Sequence, residues 1–120
     1  METFQEIING EKPVLVDFFA TWCGPCKTMS PIVESVGKEF VGQARVLKID
    51  VDKNQALAAQ YRVQAVPTFV IFKKGEIVWR NSGGVDKNTL KQQIRNFIWN
   101  TQSIQYYFQN NNKDVLLIGK

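Results

Sequence analysis

The chain has 120 residues, of which 44% are hydrophobic and 22% charged, with a formal net charge of +4 at pH 7. That length fits one domain able to bury a core without disulfide or metal staples, and no repeat of solenoid period or low-complexity half interrupts it. Lys and Arg are scattered among Asp and Glu, so no basic stripe points to nucleic acid, and no apolar run is long enough to span a bilayer.

The N-terminal METFQEIINGEK lacks the basic-then-apolar layout of a signal peptide, which favours a cytoplasmic protein, although a chain whose signal had been removed would read the same. Residues 3 to 9 have the pattern of a short amphipathic helix ended by Gly10 and followed by Pro13. Val14 to Ala20 is apolar on both faces, as expected of a central strand covered by helices. Asp17 is the anomaly within it. Residues 24 to about 41 have helical spacing, with Met29, Ile32, Val33, Val36 and Phe40 on one side. Pro25 suits the first turn, and Pro31 lies inside, where it should kink the helix. Arg45 to Val51 reads as a second buried strand, which makes a βαβ unit with a parallel pair at its centre, and Gln55 to Tyr61 as a short helix. Thr68 to Phe72 and Ile77 to Arg80, split by a turn containing Gly75, predict an antiparallel hairpin. Asp86 to Trp99 is the last clear helix, with Leu90, Ile94, Phe97 and Ile98 inward. Its spacing persists weakly through Ile104, Tyr107 and Phe108, and Asp114 to Ile118 is strand-like.

The two cysteines lie in TWCGPCK, between a strand and a helix. Zinc needs about four Cys, His or carboxylate ligands, and with two Cys and no His only a site shared between chains would serve. A structural disulfide closing so short a loop would remove little unfolded-state entropy. A reversible dithiol is the stronger reading, because CxxC at a strand-to-helix junction is a redox signature. Cys23 falls at the helix N-terminus, where unpaired N–H groups and the helix dipole favour a thiolate. A free thiol with pKa ~8.5 is only about 3% ionised at pH 7, so any lowering enlarges the reactive fraction. Lost nucleophilicity offsets part of that gain, and the same effect makes Cys23 a better leaving group. Cys26, one turn further in and less exposed, is the expected resolving thiol. Asp17 among apolar neighbours is costly unless neutral or paired, and desolvation should raise its pKa; the alternative is an edge-strand aspartate facing water.

VLVDFFATWCGPCK, then VDKN, AVPTFVIFKKGE and SGG, resembles the thioredoxin family in motif order and spacing over roughly residues 3 to 99. The resemblance implies an α/β thioredoxin fold: a central mixed sheet of about four strands flanked by helices. It implies a thioredoxin domain over residues 1–99, with 100–120 as a C-terminal extension. The implied activity is protein-disulfide reduction with Cys23 as nucleophile and Cys26 as resolving thiol, and with no cofactor beyond the redox-active Cys23–Cys26 disulfide and no metal. The Gly-Pro dipeptide is that of a reductant, whereas isomerases of this fold carry Gly-His. Asp17 is implied as proton acceptor and donor for the buried thiol, with Lys48 as its cationic modulator. Pro67 is implied to be cis beside the cysteines, exposing a Val66 backbone edge to extended substrate. Trp22, Gly24, Pro25, Val66, Pro67 and Gly83 would then form an apolar docking surface. For Trp22 simple packing, for Gly83 a plain turn and for Lys48 a solvated strand position are the plainer alternatives. Implied partners are protein disulfides and a thioredoxin reductase as electron donor, with no nucleic acid or membrane and a monomeric state.

Three departures from the family pattern stand out. The chain begins too late to hold the usual N-terminal edge strand, Phe19 replaces a common tryptophan, and the tail from about Asn100 has no counterpart. Asp114 to Ile118 could cover the vacant edge beside Arg45 to Val51, in this molecule or in a dimer partner, or remain a free tail. Rival functional readings are an extracytoplasmic thiol donor for a dedicated pathway and a binding scaffold whose redox chemistry is incidental.

Overall fold

A computed structural model describes residues 1–98 of the chain. Thr3 caps the first helix, α1 (Phe4–Ile8), through a reciprocal pair in which the Glu6 N–H donates to Thr3 Oγ1 and the Thr3 N–H donates to Glu6 Oε1, at 3.1 and 2.8 Å. β1 (Val14–Phe19) follows, then α2 (Gly24–Glu39), β2 (Arg45–Asp50), α3 (Gln55–Gln60), β3 (Thr68–Lys73), β4 (Glu76–Ser82) and α4 (Lys87–Ile98).

The strands form one mixed sheet in the order β2-β1-β3-β4. β1 and β2 are parallel, as a helical crossover through α2 requires, whereas β3 is antiparallel to both β1 and β4. The expected central pairing is therefore present, with β1 at the junction of its parallel and antiparallel halves. Burial follows from that order. Val14, Leu15, Val16 and Phe18 of β1 and Phe69 to Phe72 of β3 are fully buried. Alternate residues divide between two cores. Leu15, Phe69 and Ile71 pack on Met29, Val33 and Val36 of α2 and on Leu90 and Ile94 of α4. Val14, Val16, Phe18, Val70 and Phe72 pack on Ile8 beneath α1. Each such side chain contributes roughly 1.5–3 kcal/mol relative to exposure.

One expectation needs correction. Arg45 to Val51 reads as a buried strand, yet β2 is an edge strand whose residues are all exposed or half-buried. Apolar content alone does not report whether a strand has one neighbour or two. In β2 the face toward the helices holds Val46, packed beside Gly37 of α2, and the stem of Lys48, while Arg45 ion-pairs with Glu2 at 2.8 Å. α2 runs through Pro31 without interruption and ends at Phe40. The predicted continuation of α4 past Trp99 and the strand at Asp114 to Ile118 lie outside the described residues.

Candidate active site

Helix α2 starts where β1 has just left the sheet, so its first turn stands at the C-terminal end of the strands. Cys23 is the N-cap residue, in extended backbone conformation, with Pro25 in the first turn. The Cys26 backbone N–H donates to Cys23 Sγ at 3.1 Å, so the sulfur takes the place a serine or aspartate oxygen occupies in ordinary caps. Cys23 and Cys26 are joined by a disulfide with their Cα atoms 5.3 Å apart. Once that bond is reduced, the same N–H and the helix dipole stabilise negative charge on Cys23.

The expected difference in exposure between the two cysteines is absent: Cys23 is 4% exposed and Cys26 5%. Surroundings distinguish them instead. Cys26 lines an open cleft of about 200 Å³ together with Asp17, Phe19, Thr21, Lys27, Ser30 and Lys48. Cys23 is capped at the surface end of the helix, beside Trp22, which is 69% exposed.

Asp17 sits in mid-β1 at 1% exposure, so the alternative of a solvent-facing edge aspartate does not apply. Its Oδ1 is buried with no hydrogen-bond partner. Burial pushes the Asp17 carboxyl up from 3.8 to about 6, and outweighs the positive charge of Lys48, which pulls the other way. Lys48 is the register partner of Asp17 in the β1–β2 ladder and lines the same cleft, but its ammonium reaches α2, donating to Ser30 Oγ at 2.6 Å.

The Val66–Pro67 peptide is cis. Val66 packs against the cluster of Ala20, Cys23 and Cys26, and it lies just outside the ladders, whose β3 pairing begins at Thr68. Thr68 Oγ1 donates to the Ala65 carbonyl at 2.6 Å, and the Gly83 N–H donates to the Pro67 carbonyl at 2.8 Å. The fold thus brings Val66 to the cysteines from at least forty positions downstream, with Pro67 next to it in the chain and Gly83 hydrogen-bonded to Pro67. Trp22, Gly24 and Pro25 are exposed beside them, Val66 and Gly83 are half-buried, and Pro67 is buried.

Four residues contribute contacts that the sequence does not announce. The Trp22 indole N–H donates to Asp52 Oδ2 at 2.9 Å, which ties the exposed ring to the loop after β2. Asp50 shapes that loop: its Oδ1 accepts from the Asp52 N–H, and its carbonyl accepts from the Asn54 side chain. VDKN carries the Asp52 signal, but nothing local joins it to Trp22. Ser30 and Glu34 are the other two, and their spacing of four on a helix is the only hint of their contact.

Among the described residues no group of three or more His, Cys, Asp or Glu is placed to hold a metal, and no helix is long and apolar enough to cross a membrane. What the geometry offers is a cysteine pair at a helix N-terminus, a buried acid that lines the same cleft as Cys26, and an exposed indole beside Cys23.

Residues 1–96 match the family model described as Thioredoxin. The chain is 45% identical over 94 residues to the thioredoxin of Porphyra purpurea, covering 78% of this chain and 88% of that protein. It is 50% identical over 96 residues to a thioredoxin-like protein of Synechocystis, covering 79% and 91%. Among solved structures, a mutant thioredoxin from Halobacterium salinarum superposes with a TM-score of 0.74 at 41% identity, over 81% of this chain and 84% of that one. The chain belongs to the thioredoxin family of thiol–disulfide oxidoreductases, and its Cys23–Cys26 pair fits that family's CxxC site.

Proposed function

We propose that this protein is a protein-disulfide reductase in which Cys23 is the attacking thiolate and Cys26 the resolving thiol. The Cys23 thiolate attacks one sulfur of a substrate disulfide, and the other sulfur leaves as a thiolate that takes up a proton. Cys26 then loses its proton to the Asp17 carboxylate and attacks Cys23 Sγ. That step releases the second substrate thiol and leaves the Cys23–Cys26 disulfide. Two electrons pass from the dithiol to the substrate, and a reducing partner, a thioredoxin reductase, returns them. The observation that carries the assignment is the Cys26 N–H directed at Cys23 Sγ from the first turn of α2, which singles out one sulfur for negative charge.

Asp17 is suited to the proton step because a carboxyl titrating at about 6 can both accept and return a proton near neutral pH. Lys48, its register partner on β2, modulates it. Trp22, Gly24, Pro25, Val66, Pro67 and Gly83 form the docking surface, where the Val66 backbone pairs with an extended substrate segment. We place this activity in the cytoplasm, in a monomeric protein serving cellular redox balance. The test is catalysed precipitation of insulin by dithiothreitol: a rate well above the uncatalysed one supports the reading, and a rate equal to it overturns the reading.

A further inference from the structure

Lys48 faces a choice of partners. The parallel β1–β2 ladder sets it opposite Asp17 on the cleft side of the sheet, and its four-carbon stem can carry the ammonium toward that carboxyl or toward α2. It takes the second course. Nζ lies 2.6 Å from Ser30 Oγ and 3.9 Å from Glu34 Oε2, and it sits 5.5 Å from the centre of the Phe19 ring. Ser30 in turn donates to Glu34 Oε2 at 3.3 Å. Glu34 thereby fixes the polarity of the hydroxyl: with its hydrogen committed to the carboxylate, the Ser30 lone pairs are left for an ammonium. Meanwhile Asp17 Oδ1 remains buried and unpartnered.

We propose that Ser30 is a positioning residue whose hydroxyl, braced by Glu34, holds the Lys48 ammonium on α2 and off the Asp17 carboxylate. The inference rests on the reading of Asp17 as the acid that handles the Cys26 proton. An opposite charge brought within ~4–6 Å of a carboxylate lowers its pKa by roughly 1–3 units. Released from the clamp, Lys48 would draw Asp17 toward the range of ordinary aspartates and leave it a poor proton acceptor near neutrality. Lys27 of α2 also brings a cation to the cleft, but among the described residues the positive charge that lowers the Asp17 carboxyl is that of Lys48. From α2 the cleft receives Cys26 and Lys27, and from β3 the partner of Asp17 is the uncharged Phe69. On β2, Arg45 is paired with Glu2 and Asp50 Oδ1 accepts from its own loop, while Lys91 and Arg95 of α4 are held by Glu39.

The test is the carboxyl ¹³C NMR titration of Asp17, alongside the pH profile of insulin reduction, in Ser30→Ala and Ser30→Thr. Ser30→Ala removes the acceptor but keeps the Glu34 charge. The expected result is a fall of about one unit in the Asp17 midpoint, with Ser30→Thr restoring the original value. In a Lys48→Met background, Ser30→Ala should leave the midpoint where Lys48→Met alone puts it, because the effect travels through Lys48. An unmoved midpoint in Ser30→Ala, or an equal fall without Lys48, overturns the proposal. If the midpoint falls as expected while the insulin profile stays fixed, the clamp stands and the proton-transfer role of Asp17 fails.

Discussion

The indole of Trp22 hangs from the residue before Cys23, 69% exposed, and its single polar atom donates to Asp52 across 30 positions of sequence. An exposed aromatic ring tethered by one hydrogen bond is preorganised to meet a partner, since the rotamer entropy of docking has already been lost. Replacing Asp52 by alanine should leave the dithiol chemistry untouched and loosen the ring. A net hydrogen bond of about 1 kcal/mol corresponds to roughly a fivefold effect, so KM for insulin should rise by about that factor with kcat unchanged. Steady-state kinetics of the Asp52→Ala variant decide it. A fall in kcat at constant KM would move Asp52 from docking to chemistry.

Asp17 makes the native state sensitive to pH. Its carboxyl titrates at about 6 when folded against 3.8 as the reference for the unfolded chain. The folded protein therefore holds this proton more tightly. The resulting stability is fully present below the unfolded value and is lost as pH rises through about 6. The shift corresponds to roughly 3 kcal/mol of destabilisation at pH 8. Asp17→Asn should accordingly raise stability to urea by up to about 3 kcal/mol at pH 8 and by little near pH 3.5. It should also slow insulin reduction, since the amide accepts no proton from Cys26. Equal gains at both pH values would show that the carboxylate is not desolvated as described.

The tight connection between β3 and β4 places Lys74 and Gly75 both at positive φ, 54° and 83°. The turn is docked as well as bent, because the Lys74 and Gly75 N–H groups donate to the carbonyls of Gly10 and Ile8 at the end of α1. A Cβ on residue 75 would run into Asn9 Oδ1. Gly75→Ala should therefore lower stability by about 1–2 kcal/mol, from left-handed strain alone, with a further cost for moving Asn9. Thermal unfolding measures this, and the specific activity of the folded fraction should not change.

Much of the fold was legible because it is written locally. The apolar run of β1, the helical stripe of α2 and the hairpin around Gly75 each occupy a single window of sequence, and the structure places them within a residue or two of expectation. Cys23 at a helix N-cap was likewise readable from the CxxC position between strand and helix. What escaped was non-local. The apolar run RVLKID reads locally as buried, yet β2 is the edge strand that the vacant edge beside it implied, and its residues are exposed or half-buried. The Trp22–Asp52 and Lys48–Ser30 contacts join residues 30 and 18 positions apart on different elements, and no periodicity marks them. Relative exposure of the two cysteines was also beyond reach, because the fold covers both sulfurs almost equally.

The central claim is that the two sulfurs have unequal roles, Cys23 attacking and Cys26 resolving. Single variants challenged with a disulfide substrate and resolved by intact mass spectrometry test it most directly. Cys26→Ser should accumulate a mixed disulfide on Cys23 that dithiothreitol releases, and Cys23→Ser should form no adduct and reduce no insulin. An adduct forming as fast on Cys26 in the Cys23→Ser variant, or turnover by either variant at the rate of the unaltered protein, would contradict the account.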